Sequence, residues 1–227
     1  MSKIGTANIG GIMLGSTEVV KAYLGSDIVY QKSSPLPYDA EVEYLRFLVH
    51  AYIDTLVYAN PSMRVVVSVK FNRINAQDAL FRSGLSFWYG IYVNGNKRFA
   101  YTYKDDAGNF VATSITPNTS TNYLVDFNGV TKKLKINNST INVTGSPATK
   151  TSTKTLPLMA RIGGDGTVYT DNTDINLYYA QIYNNNVLVR DFIPVRVGDV
   201  GYLFDKISGQ LFGNSGTGDI ILGADKN

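Results

Sequence analysis

The stretch Met63-Arg64-Val65-Val66-Val67-Ser68-Val69-Lys70-Phe71 decides the fold class. Met63, Val65, Val67, Val69 and Phe71 fall on one face of an extended chain, with Arg64, Ser68 and Lys70 opposite. That is the period-2 pattern of a strand with one side in a core and the other in water. Working outward, further strand patterns are expected over 85–93, 98–104, 109–115, 123–127, 133–137, 156–162, 175–183 and 187–193. Turn chemistry separates them. Asn94-Gly95 predicts a two-residue hairpin loop, because Asn and Gly tolerate positive φ, and Asn128-Gly129, Asn184-Asn185-Asn186 and Ser208-Gly209 predict further reversals. About a dozen strands joined by short reversals predict an all-β protein of two packed antiparallel sheets.

Composition agrees. The 227 residues include 16 Tyr, 10 Phe and 21 Gly, and long runs at helical spacing are missing. Aromatic strands with Gly and Asn turns are an all-β signature. Cysteine is absent and His50 is the one histidine, which excludes disulfides, thiolate chemistry and His-cluster metal sites. Basic and acidic residues number 21 and 18 and are scattered, so no nucleic-acid footprint is expected. Met1-Ser2-Lys3-Ile4-Gly5 opens no long apolar run, so neither a secretory signal nor membrane insertion is expected.

The first thirty residues differ from the rest. Leu14-Gly15-Ser16 is echoed ten residues later by Leu24-Gly25-Ser26, and each Gly-Ser reads as a hairpin turn. Three short strands, 11–14, 19–24 and 28–31, are expected to form a small N-terminal β-meander too thin to bury its own apolar face. Residues 1–31 are therefore assigned to docking or oligomerisation. The Pro-rich stretch 32–37 is read as a linker, and 38–227 as the sandwich. The Ser/Thr-rich segment 144–155 is expected to be a long surface loop of the sandwich.

For binding, aromatic faces stack on the apolar faces of sugar rings, and the candidates are Trp88, Tyr92, Tyr101 and Tyr103. Alternation puts Trp88 and Tyr92 on one face of their strand and Phe87, Tyr89 and Ile91 on the other, so at least one set is core. Asp165, Asp171 and Asp174 lie in one loop whose oxygens suit Ca²⁺, although Asp-Gly and Asp-Asn are also ordinary turn residues, which favours a solvated loop. Asp39, Glu41 and Glu43 share one face of a strand, a spacing that retaining glycosidases use for paired carboxylates. Their place on the first strand after a linker instead suggests charges guarding a sheet edge. His50 reads as a turn or strand-end residue.

Two segments carry a resemblance. Ala40-Glu41-Val42-Glu43-Tyr44-Leu45 with Ala51-Tyr52-Ile53-Asp54-Thr55 opens it. Leu177-Tyr178-Tyr179-Ala180-Gln181-Ile182-Tyr183, Leu188-Val189-Arg190-Asp191-Phe192-Ile193-Pro194-Val195, Gly201-Tyr202-Leu203-Phe204-Asp205 and Gly213-Asn214-Ser215-Gly216-Thr217-Gly218 close it. Together they resemble the concanavalin A-like, laminin-G-like domains of tailed-phage structural proteins and gut bacteria, and the N-terminal echo is similar to a short module that precedes such domains on virion proteins. The resemblance implies a jelly-roll sandwich, a virion location and glycan contact; it implies no catalytic mechanism. In the closing segment Arg190-Asp191 is expected to form a charge-assisted pair, Pro194 to end ladder pairing, and the chain from Tyr202 to Phe212 to form a closing hairpin.

The combined expectation is a non-enzymatic virion structural protein, a head fibre, capsid decoration or tail adhesin, with no cofactor required. It would attach through its N-terminal segment to other virion proteins, form symmetric homo-oligomers with trimers foremost, and touch host glycans weakly at the virion surface. A glycan hydrolase of the same fold and a purely architectural cement protein remain as alternatives.

Overall fold

A computed structural model describes residues 12–14, 17–19, 21–24, 27–31, 36–106, 110–144, 148–170 and 174–226. The chain divides into two units, Met1–Leu36 and Pro37–Asn227. In the first, Ile12–Leu14 pairs with Thr17–Val19 and Lys21–Leu24 pairs with Asp27–Gln31, each antiparallel. The expected three-stranded meander is thus two separate hairpins among the described residues. Leu14 pairs with Thr17 and Leu24 with Asp27, so the leucine of each echo copy closes the ladder of its own hairpin. The turns themselves, and most of the proposed linker, lie outside the described residues.

The second unit is an antiparallel jelly-roll sandwich with no helix among the described residues. The back sheet runs in the order Ser139–Asn142, Lys133–Ile136, Asn122–Asn128, Met63–Phe71, Ile175–Asn184, Val187–Val197, Val200–Asp205, Gln210–Phe212. Ala40–Glu41 joins it through Val187–Val197, and Leu45–Phe47 joins it through Ile175–Asn184 while also pairing with Ile220–Leu222. The front sheet runs Phe110–Ala112, Phe99–Asp105, Phe87–Val93, Ala79–Ser83, Thr155–Leu158, Ile53–Tyr58, with the Arg161–Ile162 and Val168–Tyr169 hairpin attached beside Ala79–Ser83. From Met63–Phe71 the chain crosses to build four front strands and then returns, so that Asn122–Asn128 lies beside the strand it left.

Alternation explains the core. Met63, Val65, Val67, Val69 and Phe71 are fully buried, and opposite them stand Phe81, Phe87, Tyr89, Ile91 and Phe99, also fully buried. Tyr89 bridges the sheets: its ring stacks on Phe127 with centroids 4.6 Å apart, and its hydroxyl donates to the Phe127 carbonyl at 2.6 Å. A phenol buried this deeply must find an acceptor, and an inter-sheet carbonyl supplies one.

Several local expectations are corrected. The Asn94-Gly95 loop is longer than two residues: Val93 pairs with Phe99, the Asn94 N–H donates to the Arg98 carbonyl, and Lys97 carries the positive φ of 55°. Asn94 Oδ1 accepts from the N–H groups of Asn96 and Arg98, and this side-chain capture favours the wider turn. The two-residue loop occurs instead at Asn185-Asn186, whose φ values are 49° and 63°. Pro194 does not end its ladder. It pairs with Leu203 and sits where the strand changes its other neighbour, after Phe192 beside Ala180 and before Val195 beside Glu41, so its missing N–H falls at a handover. Arg190 and Asp191 do not pair, since consecutive strand residues point to opposite faces. Arg190 donates to the Thr55 carbonyl of the front sheet at 3.2 Å and lies 3.6 Å from Asp205, whereas Asp191 accepts from the Gln181 amide. The strands Ala79–Ser83, Ser139–Asn142 and Ile220–Leu222 were not anticipated.

Candidate functional site

The outer face of the front sheet is built by register. Phe110 pairs with Thr102, Thr102 with Gly90, Gly90 with Arg82, Arg82 with Arg161 and Arg161 with Tyr169. Directly paired residues share a face, so these six residues form one rank across six strands. Gly90 interrupts the rank with a bare position between Trp88 and Tyr92, which flank it on its own strand. A Cβ there would lie 2.3 Å from the Phe81 carbonyl oxygen and 2.5 Å from Arg82 Cα. The close approach of the neighbouring backbone requires glycine, and the missing side chain leaves a slot.

Arg82 fills that slot. Its guanidinium carbon lies 5.0 Å from the Trp88 ring centroid, 5.2 Å from that of Tyr92 and 4.8 Å from that of Phe110. Phe110 stands edge-on to both other rings, 5.7 Å from Trp88 at 82° and 5.7 Å from Tyr92 at 79°. Tyr92 is buried with Ala79 and Ala100 in a small apolar cluster separate from the main core. Trp88 is half-buried and Phe110 is 48% exposed. The surface therefore offers two aromatic rings at right angles over a cation.

That cation is unusual for its burial. Arg82 is only 4% exposed, and its Nε is sealed from solvent with no hydrogen-bond partner among the described residues. Burial, and after it the like charge of Arg161, push the guanidinium down to about 10, so it stays charged at neutral pH. At the rim, Arg161 lies 4.1 Å over the Tyr169 ring, and the Tyr169 hydroxyl donates to Asp165 Oδ2 at 2.9 Å. The Thr167 N–H, together with this hydroxyl, holds the Asp165 carboxyl below the usual carboxylate range. Gly164 places the same loop against the Trp88 indole.

Of the aromatic candidates, Trp88 and Tyr92 belong to this face, while Tyr101 and Tyr103 do not. The latter two are 1% and 4% exposed inside the main core, where Tyr101 hydrogen-bonds Thr144 and Tyr103 donates to the Gly129 carbonyl. Tyr101 pairs with Ile91 and Tyr103 with Tyr89, both core residues, and this register turns them away from the surface. Of the three aspartates, the two described ones are engaged separately. Asp165 serves its own loop, Asp174 takes a two-pronged bond from Arg46 at 2.8 and 3.0 Å, and Asp171 lies outside the described residues. Among the described residues no group of three or more His, Cys, Asp or Glu could hold a metal. At the sandwich's opening strand Ala40–Glu41, Asp39 just before it accepts from the Gly198 N–H at 2.7 Å and Glu41 faces Lys226 at 3.6 Å. His50 occupies a tight turn with φ 69° beside Thr170.

Arg82, Phe110, Arg161 and Tyr169 were missed from the sequence because they lie on four different strands. One local signal was readable: Trp88-x-Gly90-x-Tyr92 places two aromatics on one face with a gap between them. Depressions on the back sheet are chemically quieter. In one of about 320 Å³, Asp126 already takes up Arg64 at 2.7 and 2.8 Å; in another of about 360 Å³, beside Tyr178 and Tyr179, Asp191 takes up Gln181 at 3.0 Å.

By fold and site, the protein is an all-β sandwich carrying an aromatic and guanidinium platform on one outer face. No family model and no curated protein matches the chain. A similar solved structure is the native heptameric SAP-like pentraxin from Limulus polyphemus, at 13% identity over 86% of this chain and 92% of that one, with a TM-score of 0.41.

Proposed function

We propose that the sandwich is a saccharide-binding display module whose contact surface is the Arg82, Trp88 and Phe110 platform. The observation that carries the reading is the perpendicular pair of accessible rings over a buried cation, since ring faces stack on the apolar faces of pyranoses and the cation adds polar specificity. The sequence resemblance to domains of phage structural proteins, carried by the segments before 62 and after 155 and by strand pattern alone between them, supports a virion-surface location, and that of 12–31 supports attachment to other virion proteins. A non-enzymatic role is supported by the use of Asp39 and Glu41 in hydrogen bonds and ion pairs at a sheet edge. Oligomers, trimers foremost, would turn weak contacts into useful attachment.

A glycan array probed with the full chain, presented multivalently, tests the binding reading. Hits that vanish in Trp88→Ala are expected. An array without hits, or hits indifferent to that substitution, would favour an architectural role.

A further inference from the structure

Resting on that saccharide reading, we infer that the platform selects acidic sugars, with a ring carboxylate of the ligand pairing with the guanidinium of Arg82. The inference starts from an imbalance of charge. A cation taken out of water is costly unless something answers it. Elsewhere in the sandwich, arginines have such an answer: Arg46 has Asp174, Arg64 has Asp126, Arg196 has Asp225 and Arg190 lies near Asp205. Arg82 is more buried than any of these and has no described carboxylate partner, only three ring faces.

Cation–π contacts offset part of the cost but satisfy no N–H donor. Nε has no acceptor among the described residues. The described groups sharing this face do not supply the missing charge. Asp165 is bound by the Thr167 N–H and hydroxyl and by the Tyr169 hydroxyl. Lys104, paired with Trp88, adds positive charge rather than cancelling it.

An incoming carboxylate fits this deficit in three ways. It brings the absent charge, its planar oxygens match the guanidinium fork, and the low local dielectric strengthens the pair. A uronic-acid ring stacked on Trp88 or Phe110 would carry its carboxylate toward Arg82, which lies within 5.0 Å of both ring centroids. Phe110 is the adjustable part of the frame. It stands on the three-residue edge strand Phe110–Ala112, so its ring is the one best able to give way.

The test is calorimetric titration of the full chain with galacturonic-acid oligomers and with galactose oligomers of equal length. The expected result is binding of the acidic series tighter by about ten- to a hundredfold, the range for a hydrogen bond to a charged partner. In Arg82→Gln the two series should bind alike. Thermal unfolding verifies that this variant is folded; should it not be, methyl esterification of the uronic-acid carboxylates removes the same pairing from the ligand side and should abolish the preference in the unmodified protein. Equal binding of both series by the unmodified protein overturns the inference and leaves the saccharide reading intact. A preference that survives in folded Arg82→Gln, or in the esterified ligand, also overturns it. Binding of neither series overturns both.

Discussion

The strand Phe87–Val93 carries two surfaces that differ in everything but their backbone. Inward, Phe87, Tyr89 and Ile91 are fully buried, and the one polar atom among these side chains, the Tyr89 hydroxyl, has a strong acceptor in the Phe127 carbonyl. Outward, Trp88, Gly90 and Tyr92 surround a guanidinium whose Nε has no hydrogen-bond partner among the described residues. Both faces are aromatic. The difference lies in polar completeness: the inner face has satisfied its one donor within the protein, and the outer face holds a buried Nε that no described acceptor meets. Complete burial with satisfied partners serves stability, whereas unsatisfied polar groups framed by accessible rings are what a ligand can complete.

The largest expected effect tests the inner face. Tyr89→Ala should cost about 3–5 kcal/mol of unfolding free energy, as truncation of large core aromatics does, read from denaturant midpoints. The next concerns buried charge. Asp78 is fully buried, accepts from the Asn75 N–H at 2.7 Å through Oδ2, and leaves Oδ1 without a partner among the described residues. Burial pushes its carboxyl from 3.8 up to about 7. Because the folded state then holds a proton that the unfolded chain has released, stability should fall as pH rises from about 4 to about 7 and level off above. Asp78→Asn should remove that slope and stabilise the protein at pH 8 by on the order of 2–4 kcal/mol, measured by denaturation at pH 5 and pH 8. The smallest effect belongs to the outer face. Phe110→Ala should cost about 0.5–1 kcal/mol, one exposed cation–π contact, while weakening saccharide binding. If its cost in stability matched that of Tyr89→Ala, the outer face would be a second core and the contrast would collapse.

The hairpins of the N-terminal unit and the sandwich also show how much was readable. The Leu-Gly-Ser echo revealed a repeated unit, but repetition alone did not say whether neighbouring strands join one sheet. In the sandwich, Met63–Phe71 was legible because every inward position is apolar, although Val66 on the other face is buried too. Ala79–Ser83 escaped notice because all five of its residues are buried, inward and outward alike, and a short apolar run has no period to read. The candidate site was half legible for a similar reason. Trp88 and Tyr92 followed from local alternation, while Tyr101 and Tyr103 were misplaced on the surface because their face depends on pairing with Ile91 and Tyr89.

The sequence by itself determined that this chain is all-β, which residues alternate within each strand, and that Trp88 and Tyr92 share a side, since those follow from the pleat of a single extended segment. Only the tertiary structure decided which side faces out, and that Arg82, Arg161, Phe110 and Tyr169 meet there. Register between strands distant in sequence is chosen by the burial of a whole sheet face, and a one-residue slip would have sent every one of these side chains to the other side.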